Sequence, residues 1–99
     1  MQMSDLSVNS LLKATADSPE LTEREKHLLG LAVTATRGCI YCTGTRLKKA
    51  QEAGVPYATL LAAIDLAAAV NAGVTAATAI QGAERSGLCD SACGPGKCV

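Results

Sequence analysis

The sequence predicts an all-α fold of about five helices, and three observations lead there. Ninety-nine residues with 48% hydrophobic side chains fold as one domain. Alanine is abundant while Phe and Trp are absent, so the chain offers many small helical contacts and few large anchors. No stretch alternates as a half-buried strand does, and no hairpin turn signal occurs.

Ser4 or Asp5 is placed to cap a first helix running to about Ala16, with Leu6, Val8, Leu11 and Leu12 at partly helical spacing. Asp17-Ser18-Pro19 ends it, which sets off residues 1–20 as an N-terminal helical segment. Thr22-Glu23-Arg24-Glu25 has the form of a capping box, hydroxyl at the cap and carboxylate three later, and opens the second helix. Leu28, Leu31, Ala32 and Ala35 form its expected buried stripe. Arg37-Gly38 breaks the pattern, and a third helix runs from about Cys39 to Ala53, where Gly54 ends it and Pro56 restarts the chain.

From Tyr57 to Ile80 the sequence is apolar nearly all round, with Asp65 and Asn71 the main interruptions. A transmembrane helix is not expected: alanine and threonine contribute little to insertion, and an Asp near the centre costs roughly 2.5–3.5 kcal/mol. Ala72-Gly73 reads as a break, giving two helices over 57–71 and 74–86 that neighbours or subunits cover on every side. The main domain therefore spans 21–87. Residues 88–99, with Cys89, Cys93 and Cys98, read as a flexible tail.

Nine basic and nine acidic residues leave no net charge, so nothing electrostatic recommends nucleic acid or an anionic membrane as a partner. Met1-Gln2-Met3-Ser4-Asp5-Leu6 lacks the basic and apolar regions of a secretory signal, and a cytoplasmic location is expected. Five cysteines, an odd number in an Ala-rich helical chain, do not suggest a secreted disulfide scaffold. A reducing compartment favours chemical over structural use of a cysteine pair.

That pair lies in Gly38-Cys39-Ile40-Tyr41-Cys42-Thr43-Gly44-Thr45-Arg46. Cysteines three apart at a helix start face one side, where they can close a disulfide or present a thiolate. Helix-start amides and the Arg46 guanidinium favour the thiolate. The plain alternative is a buried structural pair or half a metal clip, but tetrahedral zinc needs two further ligands and the middle of the chain offers none. Arg46 reads otherwise as an ion-pair partner for a neighbouring carboxylate, and His27 as a helix-surface histidine with ordinary hydrogen bonds. Tyr41 and Tyr57 read as packing residues, of which only Tyr41 is placed to touch a substrate, while Lys48 and Lys49 form a solvated face. Cys89, Cys93 and Cys98 match no zinc-ribbon spacing. Three readings stay open for them: a soft-metal clasp, a tethered thiol shuttle that reduces the Cys39/Cys42 pair, or a tail without a role.

Leu21-Thr22-Glu23-Arg24-Glu25-Lys26-His27-Leu28-Leu29-Gly30-Leu31-Ala32-Val33, then Gly38-Cys39-Ile40-Tyr41-Cys42, then Ala50 and Gly54, resemble the alkylhydroperoxidase D and carboxymuconolactone decarboxylase superfamily over roughly Leu21 to Arg85. The CxxC resembles its alkylhydroperoxidase branch. The resemblance implies an obligate homo-oligomer, a dimer, trimer or hexamer. It also implies a dithiol that, without a cofactor, reduces hydroperoxides or small disulfides and is recycled by a thiol reductant protein or small dithiol. In that branch the second cysteine, here Cys42, attacks the peroxide, and the first, Cys39, resolves the sulfenate. The family's proton relay has a Glu twelve residues before the first cysteine and a His four after the second; His27 and Arg46 occupy those positions here. A guanidinium stabilises a thiolate but does not take its proton. The exchanged pair is therefore expected to act with His27 as neutral base and Arg46 as electrostatic activator. If helices two and three fold back about Arg37-Gly38, position 27 lies opposite about position 48. The rival reading is a thiol-rich protein that captures a soft metal or metalloid through the CxxC and the tail cysteines.

Overall fold

The computed structural model describes residues 1–89, whose regular structure is all helical, with no strand among the described residues. A 3-10 turn at Met3–Asp5 precedes four α-helices: α1 Val8–Ala16, α2 Glu23–Thr36, α3 Ile40–Glu52 and α4 Tyr57–Ser86. The all-α expectation holds, while two boundaries differ from the sequence reading.

The first helix begins later than expected. The Asp5 carboxylate accepts the Gln2 backbone N–H at 2.8 Å, which closes the 3-10 turn, so Asp5 caps that turn and α1 starts after Ser7. More consequentially, 57–71 and 74–86 are one continuous helix of 30 residues. A helix-interior glycine costs only about 1 kcal/mol relative to alanine, and the alanines around Gly73 repay it without a proline to remove a donor. Asn71, the other expected interruption, donates its amide to the Ala67 carbonyl and to Thr36 Oγ1, both at 2.9 Å. It ties α4 to α2 instead of breaking α4.

The capping box at the start of α2 forms as written in the sequence. Thr22 Oγ1 accepts the Glu25 N–H at 3.1 Å, and the Glu25 carboxylate accepts the Thr22 N–H at 2.8 Å. At the other end, Gly38 takes φ +78°, and the Gly38 and Cys39 amides donate back to the carbonyls of Ala35 and Thr34, both at 3.1 Å. This reversal requires a left-handed residue, which glycine adopts at no steric cost. Gly54 repeats it after α3, sending the chain into α4.

Leu31 of α2 and Ala50 of α3 are completely buried, with Val55 and Leu60 close behind; Leu28, Leu47 and Ile64 pack against them. Of the expected α2 stripe, Leu31 alone is fully enclosed, and Leu28, Ala32 and Ala35 are half-buried. Arg24 reaches from α2 to Thr59 Oγ1 at 2.9 Å, and Lys26 Nζ holds the Ala16 carbonyl at 2.7 Å, joining α1 to α2. At 1.5 Å per residue α4 is about 45 Å long and α2 about 21 Å, so α4 runs well past its partner. Residues 68–82 are exposed throughout. By length and apolarity alone α4 is long enough to cross a membrane.

Candidate functional site

The turn that ends α2 delivers Cys39 to the N-cap of α3 and Cys42 to its first turn. Their sulfurs stand at disulfide-bonding distance, with Cα atoms 5.3 Å apart. The Cys42 N–H donates to Cys39 Sγ at 3.2 Å, so the sulfur stands where a Ser or Asp oxygen caps other helices. Thr43 locks the same residue from behind: its N–H and its hydroxyl both donate to the Cys39 carbonyl, at 2.9 and 2.7 Å. Cys39 is half-buried and Cys42 exposed. Ile40 and Tyr41 between them are 90% and 84% exposed, which leaves the pair open to solvent and to a docking partner.

Arg46 follows Cys42 by one turn on α3. Arg46 is half-buried, and its guanidinium lies across α2 at Gly30: a Cβ built on Gly30 would stand 2.7 Å from Arg46 Cζ and 3.3 Å from Nε. Position 46 therefore faces position 30, close to the register expected from folding back about Arg37-Gly38. His27 lies one turn before Gly30 on α2 and is half-buried. The side chains of His27 and Arg46 make no hydrogen bond or ion pair among the described residues. The hairpin of α2 and α3 thus carries His27, Gly30, Arg46 and the cysteine pair. Gly30 was not singled out from the sequence, although a glycine inside a helix of good formers was signal enough to ask why.

Between α2 and α4 runs an open groove of about 610 Å3, walled by Leu29, Val33, Leu66 and Val70, with Thr36 and Arg37 also lining it. Those two residues lead directly into Gly38-Cys39. The groove is apolar enough to take an alkyl chain or an apolar helix. Among the described residues no group of three His, Cys, Asp or Glu side chains is arranged to hold a metal. Cys89, just beyond α4, is half-buried and bonded, while Cys93 and Cys98 lie outside the described residues, and with them the shuttle and clasp readings.

The model of the carboxymuconolactone decarboxylase family matches residues 7–85. The chain belongs to this family. The match takes in α1 and runs to the last turn of α4, so all four helices lie within the family unit. A crystal structure of a protein from Methanobacterium thermoautotrophicum superposes with a TM-score of 0.74 at 31% identity, covering 82% of this chain and 93% of that one. No curated protein matches the sequence. The family includes enzymes, both decarboxylases and peroxidases, and the Cys39–Cys42 pair at bonding distance fits the alkylhydroperoxidase-like fold within it.

Proposed function

We propose that this chain is a thiol-dependent oxidoreductase of the alkylhydroperoxidase type, reducing hydroperoxides, or small disulfides, with the Cys39/Cys42 dithiol. The observation that carries this reading is the asymmetry of the pair: an exposed Cys42 at bonding distance from a half-buried Cys39 whose sulfur receives a helix-start amide.

The cycle begins with the Cys42 thiolate attacking the outer oxygen of the hydroperoxide. The O–O bond breaks, an S–O bond forms, and the leaving alkoxide takes a proton to become the alcohol. Cys42 is then a sulfenic acid. Cys39 attacks it through its own thiolate, forming the S–S bond as the S–O bond breaks, and the expelled hydroxide takes a proton to leave as water. Two electrons have passed from the dithiol to the peroxide, and a protein dithiol or small dithiol returns them. That reductant attacks the exposed Cys42 sulfur, so Cys39 departs as the thiolate that the Cys42 N–H stabilises, which is the faster route for exchange. His27 passes protons through water, and Arg46 supplies the positive charge one turn from Cys42. No cofactor takes part.

Subunits associate along the exposed length of α4, giving a dimer, trimer or hexamer in the cytoplasm. The support is the uncovered apolar surface of 68–82 beside a core of four buried side chains among the described residues.

The test separates the two cysteines. Cys42→Ser abolishes peroxide consumption. Cys39→Ser consumes one equivalent and stops at a sulfenic acid that dimedone traps on the Cys42 peptide. Catalytic turnover by Cys42→Ser overturns the assignment of roles.

A further inference from the structure

We infer that Gly30 is a positioning residue: its missing side chain seats the Arg46 guanidinium against the backbone of α2 and so fixes where this charge, carried one turn along α3 from Cys42, is held. This inference rests on the role given above to Arg46 as activator of Cys42.

A glycine in a helix interior is unfavourable and asks for a reason. Backbone conformation is not the reason here, since positive φ among the described glycines occurs at Gly38, Gly54 and Gly87 and not at Gly30. The other helix-interior glycines differ as well: a Cβ at Gly44, Gly73 or Gly82 would meet nothing within 4 Å. At Gly30 the three nearest atoms all belong to the Arg46 guanidinium, and the closest overlaps outright. The seat is steric rather than hydrogen-bonded. The Gly30 carbonyl accepts the Thr34 hydroxyl at 3.1 Å and takes nothing from Arg46. Nor does any carboxylate among the described residues hold the guanidinium. A long side chain with many rotamers is thus directed by shape alone, through a notch one residue wide.

The consequence is a pair of effects with opposite signs. A methyl group at position 30 evicts the far end of a flexible side chain and leaves the helices where they are. The α2 helix gains by exchanging glycine for alanine. The charge near Cys42 loses its place. A residue that merely packed the hairpin would move stability and reactivity in the same direction.

The test uses fully reduced full-length chain as wild type, Gly30→Ala, Arg46→Ala and the double variant. Iodoacetamide alkylation is followed against pH and quantified on the Cys42 peptide, alongside thermal unfolding and the NMR resonance of Arg46 Nε–H. Gly30→Ala is expected to move the Nε–H resonance and to melt no lower than wild type. It is also expected to slow alkylation near neutral pH by about tenfold, the equivalent of one pH unit in the profile. Arg46→Ala gives the same shift, and the double variant adds nothing to it. An unmoved profile in Gly30→Ala while Arg46→Ala shifts overturns the seat and leaves the Arg46 role standing. An unmoved profile in Arg46→Ala overturns that role, and the seat with it. Additive shifts in the double variant, or a lower melting temperature with an unmoved Nε–H, also overturn the seat.

Discussion

Cys39 and Cys42 differ in what one turn of helix gives each of them. The N-cap sulfur receives an amide and shelter, and the residue three later receives exposure. The spacing announced a dithiol from the sequence alone, but not which thiol faces solvent, because helix-start position favours Cys39 and the family resemblance favours Cys42. The order depends on how α2 covers the N-cap, a tertiary fact. The same holds for Arg46, whose neighbourhood one turn from Cys42 was legible while its seat on Gly30 was not. Restoring the family's own relay, His27→Glu with Arg46→His, is expected to raise peroxide turnover and to give it a pH profile rising through the histidine range. Turnover assays of the double variant from pH 5 to 9 check this, and a rate below wild type at every pH counts against the exchanged-pair account.

At the scale of the element, the capping box that opens α2 was legible because it is local: four consecutive residues carry both hydrogen bonds. The Thr22 backbone N–H, donating to the Glu25 carboxylate, and second the Thr22 side chain beside it hold that carboxyl below its ordinary range. A carboxyl depressed on folding stabilises at pH above its unfolded value, and the contribution fades as pH falls through its folded value. Thr22→Ala is expected to cost about 1 kcal/mol of stability at neutral pH, read by urea unfolding. The difference from wild type should shrink at the acid end of the carboxylate range. By contrast, α4 was misread as two helices because Ala72-Gly73 looks like punctuation locally. Propensity is a weak prior inside a run of alanines, and the Asn71 bridge to Thr36 uses a residue 35 positions away.

The described residues form a hairpin that carries the cysteine pair and a long helix that extends beyond it. Composition already pointed to a thin core, and the structure encloses Leu31, Ala50, Val55 and Leu60 while Val70, Val74 and Ile80 stand 57–61% exposed. What covers them is not written in a periodic pattern, since small apolar residues face every side. Subunit association along α4 predicts that wild type sediments as a dimer or larger at micromolar concentration. Val74→Glu should sediment as a monomer with reduced stability, because a buried unpaired carboxylate opposes the interface. A wild type that stays monomeric across the concentration range contradicts this part of the account.

The most direct test mixes fully reduced wild type with one equivalent of an alkyl hydroperoxide, follows oxidation by stopped flow and maps the product by mass spectrometry. The account predicts oxidation well above the rate of a free thiol and a Cys39–Cys42 bond as the product. Oxidation no faster than a free thiol contradicts it.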